Sequence, residues 1–375
     1  MRVWISLKFC SPLTRFKIIM VSVLPHSDQP KHRIIIHAGF AKCGSSSIQA
    51  TLFQNLKRLR EDGIFLFDKN LRVAEDYASL GTPLWVLEDA KRKREPLSQR
   101  LGREITAVAG ANRQCIGVLS AENLADSKIA ELFSGLDHEM EVCVVFYWRP
   151  QLQWIPSAWQ QWDLKKGMSL DNFVSECIET HRPSYRLSIE KWKSVLPSAE
   201  SHVRLLIAEL LHGGNPAHDF FNLLGLRAER FDIPDRAHNP GLDFALLHVL
   251  SKNPQLFSDV HDNRLIRSLQ AALPTKFLST NIRMLSLEQE ARIEECFRDE
   301  NLWLLKTFCN GIDIDEIYRA HFTPQKTGMR YSDMNEPGLI YRCLGIILES
   351  IAMNSDPATS GDRLKTESGP LPNWE

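Results

Sequence analysis

Residues 33–52 read RIIIHAGFAKCGSSSIQATL, and this stretch decides the fold. Arg33 to His37 is a short β-branched run with the composition of a buried strand. A loop of small residues follows, and then Ile48, Leu52, Leu56 and Leu59 recur at the spacing of one helix face. A strand feeding a helix through so short a loop is the opening unit of a parallel α/β sheet. The loop, with Gly39, Lys42, Gly44, Ser45, Ser46 and Ser47, also has a chemical reading. Small residues let backbone N–H groups turn toward one point, and the helix N-terminus adds unpaired donors and a partial positive charge. Lys42 adds a full charge. Such a cradle suits phosphate or sulfate.

The same alternation continues outward. IFLF at 64–67, CIGVLS at 115–120, EVCVVFY at 141–147 and VRLLIAE at 203–209 predict four more strands. The polar segment 88–114 predicts a helix, with the charge run Lys91, Arg92, Lys93, Arg94 and Glu95 as its solvated face. Another helix carries Trp154, Ala158, Trp159 and Trp162. Short apolar strands between amphipathic helices imply an α/β fold, a mostly parallel central sheet covered by helices on both faces. From about residue 240 the segments LDFALLHVL, LIRSLQAAL and LEQEARIEECFRDENLWLLKTF all read as helix, giving a helical C-terminal portion. We expect residues 1–30 to be a poorly ordered extension, residues 31–352 a single domain, and residues 353–375 a disordered tail.

Composition narrows the function classes. The 375 residues carry 45 Lys and Arg against 46 Asp and Glu, a formal charge of −1. That balance excludes a surface built to grip nucleic acid or an anionic membrane, and it leaves a local anion site open. The charge is uneven, since residues 1–60 hold ten Lys or Arg and one acid, Asp28. No C-x-x-C spacing occurs among the eight cysteines, so zinc and redox motifs have no support. Cys115 and Cys143 lie in strand runs and read as buried thiols of a reducing compartment. Arg2, Lys8, Arg15 and Lys17 interrupt the N-terminal apolar residues, which argues against a signal peptide, and no window offers the ~20 apolar residues of a spanning helix. We expect a cytoplasmic protein without stable membrane insertion. No His/Asp/Glu group has ligand spacing, so no metal is expected.

The loop is not a nucleotide P-loop. Gly39 and Gly44 have the separation of G-x-x-x-x-G-K-[ST], but Ser45 follows Gly44 and Lys42 precedes it. This counts against the alternative of a nucleotide kinase. The order strand, Lys42, Gly44, Ser45, Ser46, Ser47, helix instead resembles the 5′-phosphosulfate loop, Pro-Lys-Thr-Gly-Thr-Thr, of the sulfotransferases that use 3′-phosphoadenosine 5′-phosphosulfate (PAPS). The chain departs from that pattern at Ala41, where the family has Pro, and at Cys43, where it has Thr or Ser. The Cys43 change removes a hydroxyl donor and leaves the backbone cradle intact.

A second motif extends the resemblance. Strand 141–147 runs into WRPQLQWIPSAWQQW, where Arg149 and Ser157 have the family's spacing of an Arg at a strand end and a Ser eight residues later. This pair lies about 105 residues after the loop. A guanidinium fork at a strand's carboxyl end suits a phosphate. VLSAENL at 118–124 and the segments NPAHDFFNLLGL and AHNPGLDFALLHVL resemble a bacterial branch of the family, so the likeness covers roughly residues 32–310.

The resemblance implies a P-loop-like fold of sulfotransferase type and a set of roles. Lys42 would stabilise the leaving oxygen of PAPS, the backbone of Cys43, Gly44, Ser45, Ser46 and Ser47 would hold the 5′-phosphate, and Arg149 and Ser157 the 3′-phosphate, with adenosine 3′,5′-bisphosphate (PAP) as product. Glu122, just past a strand end, is the expected base, with His37 as the alternative and Asp68 and Asp76 as further candidates. The acceptor, a hydroxyl or amine of a carbohydrate, lipid or small metabolite, is not legible, and neither is the oligomeric state. A non-catalytic binding module of the same fold stays open. The tryptophans at 148, 154, 159 and 162 follow helical spacing and predict a core-facing side over a sugar-binding stripe. KTGMRY at 326–331 reads as a basic surface loop, or one that closes over the site.

Overall fold

A computed structural model of the chain describes residues 32–109, 114–234, 241–274, 277–278 and 283–355, the last four of these by backbone only. The expected extension at 1–30 and the tail beyond 355 lie outside the described residues. The five strands among the described residues are β1 (Arg33–Ala38), β2 (Ile64–Leu66), β3 (Ile116–Ala121), β4 (Glu141–Trp148) and β5 (Glu200–Leu205). They pair in the order β2-β3-β1-β4-β5, and every pairing is parallel. The fold is therefore α/β, as the alternation implies. Ile34, Ile35 and Ile36 are all buried, because a central parallel strand has helices over both faces.

Two strand-and-helix boundaries differ from the sequence reading. The fifth strand runs over Glu200–Leu205 and not over 203–209. As an edge strand, β5 tolerates the half-exposed polar residues Ser201 and His202, while the apolar residues after Leu205 leave the ladder. The segment 88–114 is two helices, Leu84–Lys93 and Ser98–Ala109, broken before Pro96. The charge run does lie on a solvated helix end, with Lys93 and Arg92 both paired to Asp89.

Beyond residue 240 the named elements among the described residues are helical: Phe244–Ser251, Arg264–Ala272, Leu287–Phe308, Ile314–His321 and Glu336–Ser355, with one isolated bridge between Arg283 and Arg330. The last helix passes the expected domain end at 352. Lys326 to Met329 form an exposed loop, as the surface-loop reading expects, whereas the last two residues of the KTGMRY segment are pinned. Arg330 is buried and pairs with Glu290 at 2.8 Å, and Tyr331 is buried beside it. The described cysteines are all free thiols, five of them buried. No described helix is long and apolar enough to cross a membrane.

The topology fixes where a ligand site forms. The strand order reverses at β1, with β2 and β3 on one side and β4 and β5 on the other. In open α/β sheets, the crevice beyond the carboxyl ends of the strands at such a point is the binding position. The register Ala38↔Ala121 ends β1 and β3 together, so Gly39 and Glu122 emerge side by side.

Candidate functional site

The loop from Gly39 to Gly44 leaves β1 and enters helix α1 (Ser45–Gln54). Its shape rests on two glycines and one strained residue. The Gly39 N–H donates to Ala121 O at 3.1 Å, and a Cβ at Gly39 would fall 2.5 Å from Ser45 Oγ. Gly44 caps α1 in the left-handed region at φ 88°, and its Cβ would lie 2.9 Å from Pro216 Cγ. Lys42 also adopts a left-handed conformation, φ 61°, at a cost of about 1–3 kcal/mol that other contacts must offset. One such contact is the Trp154 indole N–H, which donates to Ala41 O at 2.8 Å and ties the loop to helix Gln151–Gln161.

The loop's donors divide into used and open. The Cys43 N–H donates to Phe40 O, and the Ser47 and Ile48 N–H groups to Gly44 O. The N–H groups of Gly44, Ser45 and Ser46 have no acceptor among the described residues. The Ser45 hydroxyl donates to Phe40 O at 3.2 Å, so its side chain is spent inside the loop. Cys43 is fully buried with Sγ 3.7 Å from the Tyr185 hydroxyl, and burial pushes the thiol up to about 12 despite that hydrogen bond. Neither Cys43 nor Ser45 therefore offers a side chain to a ligand, and Cys43 does not offer its N–H. Ser46 is exposed and Ser47 half-buried.

Two cations flank the open donors. The Lys42 ammonium donates to Gln161 Oε1 at 2.9 Å, and the Arg149 Nε–H donates to Gln153 Oε1 at 3.3 Å. Both partners are neutral, and neither cation joins an ion pair within the described residues. Gln153, Ser157 and Gln161 are spaced by four, so they share one half-buried stripe of their helix, while Trp154, Ile155, Ala158 and Trp159 fill the buried side. Ser157 thus sits between the glutamines that bracket it. That polar stripe is present in the sequence as i, i+4, i+8, with no charge of its own to mark it. The tryptophans are core, with Trp148, Trp154 and Trp159 buried and Trp162 half-buried.

Glu122 opens the turn after β3, half-buried. Burial raises its carboxyl above the ordinary value, and the Lys42 charge partly opposes that rise. Burial likewise lowers Lys42, with Glu122 favouring its charge and Arg149 opposing it. Arg149 is lowered by burial too, though a guanidinium stays charged at physiological pH. Lys42, Glu122 and Arg149 therefore share one electrostatic neighbourhood at the carboxyl ends of β1, β3 and β4.

His37 is not part of it. The residue is fully buried, its Nδ1 lies 2.7 Å from Ser120 Oγ, and its ring packs on Tyr147 and Phe220. Burial lowers it to about 3, so the imidazole is neutral and sealed below the site, which removes it as a base. Asp68 accepts the N–H groups of Asn70 and Arg72 at 2.8 Å and shapes a turn. Asp76 caps the short turn Tyr77–Ser79 on the surface. Both carboxylates serve the backbone.

Tyr185, absent from the sequence reading, joins the two halves. Its hydroxyl donates to Arg149 O at 2.9 Å, accepts the Arg149 N–H at 3.4 Å and meets Cys43 Sγ. No local spacing links positions 43, 149 and 185, so only the tertiary fold reveals the bridge. Cys43 and Tyr185 form a buried pair behind the loop, while the backbone ahead of it stays open. No protein-family model matches this chain, and no curated protein matches it as a relative.

Proposed function

We propose that the protein is a sulfotransferase that moves a sulfuryl group from PAPS to a hydroxyl or amine of a small-molecule, glycan or lipid acceptor. The observation that supports this best is the pair of half-buried cations, Lys42 and Arg149, which form no ion pair among the described residues, placed around three open N–H groups. Glu122 offsets part of the Lys42 charge from a distance, but two partly buried cations against one carboxylate leave an excess of positive charge, and an anion charged at two separate points would relieve it. PAPS has a phosphosulfate at one end of its ribose and a phosphate at the other side.

In this reading the acceptor oxygen or nitrogen forms a bond to sulfur as the bond from sulfur to the bridging phosphate oxygen breaks. Lys42 stabilises the charge that develops on that oxygen, and the open N–H groups hold the departing 5′-phosphate. Arg149 and Ser157 hold the 3′-phosphate and set the register. Glu122 takes the acceptor's proton, and its raised basicity favours that transfer once it is ionised. His37, the other candidate base, has no part in the step.

Titration calorimetry with PAP tests the reading. Wild-type protein should bind PAP without added metal, and Lys42→Ala and Arg149→Ala should each weaken binding about 10–100-fold, the loss of one charge-assisted contact. Failure of the wild type to bind PAP overturns the proposal. PAP binding with no transfer to any acceptor in a broad panel would identify a non-catalytic module, and Mg²⁺-dependent ATP binding in place of PAP would identify a kinase.

A further inference from the structure

The amino end of the sheet, opposite the strand ends that carry Lys42, Glu122 and Arg149, holds a second group of chemistry-bearing side chains. In the register, Cys143 of β4 pairs with Glu200 of β5, and Val145 with His202. Residues two apart on a strand share a face, so Glu200 and His202 stand on the same side of the sheet as Cys143. The Cys143 sulfur, a Glu200 carboxylate oxygen and a His202 ring nitrogen all lie within 4.8 Å of one another. Among the described residues no other three His, Cys, Asp or Glu side chains converge in this way. Local spacing gives no hint of the set, because Cys143 comes from the neighbouring strand.

A thiol, an imidazole and a carboxylate together suit one class of ion. Calcium and magnesium take oxygen ligands, whereas zinc accepts all three types. Bonds of about 2.0–2.3 Å hold the ligand atoms of a tetrahedral zinc roughly 3.3–3.8 Å apart, so the three atoms need shifts of at most about 1 Å. The Glu200 and His202 side chains, exposed by 53% and 33%, are free to make them, and Oε1 and Nε2 already meet at 2.8 Å. Cys143 is 2% exposed and fixes one corner, which leaves the fourth position on the solvent side. Arg33, on the same face of β1, donates from Nη2 to the other carboxylate oxygen, Oε2, at 2.7 Å. It thereby keeps Oε1 turned toward His202, as an outer partner orients a ligating carboxylate. Burial and Glu200 push the Cys143 thiol up to about 11 against the pull of Arg33. A doubly charged ion overcomes this by taking the sulfur as thiolate, the thiol proton passing to solvent.

We propose that Cys143, Glu200 and His202 bind a transition-metal ion of the zinc type, with water as the fourth ligand, and that the ion clamps the edge strand β5 to β4. The inference is independent of the proposed sulfuryl transfer. Titration of the chelator-treated full chain with Co²⁺ should produce the near-ultraviolet charge-transfer absorption of a cobalt thiolate, and Zn²⁺ should displace it. His202→Asn and Glu200→Gln, both outside the core, should each weaken Co²⁺ binding roughly tenfold or more with the far-ultraviolet circular dichroism unchanged. Cys143→Ser should abolish the absorption, and the two other variants decide the matter where this core change fails to fold. Cys296→Ser, at a half-buried thiol elsewhere on the chain, serves as the control and should leave the absorption as it is. Zn²⁺ should also raise the melting temperature of the wild type and not that of His202→Asn. A wild type that shows no cobalt–thiolate absorption overturns the proposal. An absorption that His202→Asn and Glu200→Gln leave unchanged would place the ion on another thiol, and overturns it as well.

Discussion

Burial at Glu122 sets the pH behaviour expected of the site. Its carboxyl is raised above the ordinary value, chiefly by desolvation and against the pull of Lys42. A base works in its ionised form, so the transfer rate should climb with pH through this elevated titration and then level off. Glu122→Gln should remove that limb and about 10²–10⁴ of the rate while leaving PAP affinity intact, a split readable from a pH–rate profile and calorimetry together. His37 makes the opposite case, a titratable group whose influence is on stability. Its folded value is about 3 against an ordinary 6.5, so below pH 6.5 the unfolded chain binds the extra proton. Stability is then fully present above 6.5 and falls with pH toward 3 by at most about 1.4 kcal/mol per unit. Urea unfolding from pH 7 to 4 should show this slope, and His37→Gln should flatten it. At this scale the sequence displayed Lys42, Gly44, Glu122 and Arg149 as a pattern of types and spacings. It did not display which way Cys43 and Ser45 point, because a side chain's direction in a loop depends on packing from residues such as Tyr185, over a hundred positions away.

At the scale of the element, the loop from Gly39 to Gly44 depends on what holds it. Gly44→Ala places a Cβ at φ 88° and 2.9 Å from Pro216 Cγ, and should cost about 1–3 kcal/mol in thermal or chemical unfolding. Trp154→Phe keeps a ring in the core and removes the donor to Ala41 O. It should cost roughly 1–3 kcal/mol and loosen PAP binding with no cation touched, because the loop loses its tether to the next helix. Elements with strong period were legible: β1, β3 and β4 lie within a residue of their expected bounds. β5 was misplaced because an edge strand half-exposes its residues, so the polar stretch Glu200–His202 carries no apolar signal. The stripe Gln153, Ser157, Gln161 carries no signal in sequence because three uncharged polar residues acquire a role only through the tertiary contacts of Lys42 and Arg149 with two of them.

For the whole molecule, ligand linkage gives a global readout of the site. PAP at a hundredfold excess over its dissociation constant should stabilise the fold by about 2.7 kcal/mol, visible as a raised melting temperature. Lys42→Ala and Arg149→Ala should blunt that shift at the same concentration. The layered α/β architecture followed from the alternation of apolar runs and amphipathic helices, whereas the strand order could not be read, since pairing partners far apart in the chain leave no local trace. That order carries a consequence for synthesis. β1 is the first of the described strands to leave the ribosome, yet its neighbours are β3 and β4, and its second edge has no partner among them until Trp148 has emerged. For that interval Ile34, Ile35 and Ile36 form an open apolar strand, the kind of edge that invites mispairing. The segment that leads into the Lys42 loop is thus the one most in need of shelter while the chain is being made.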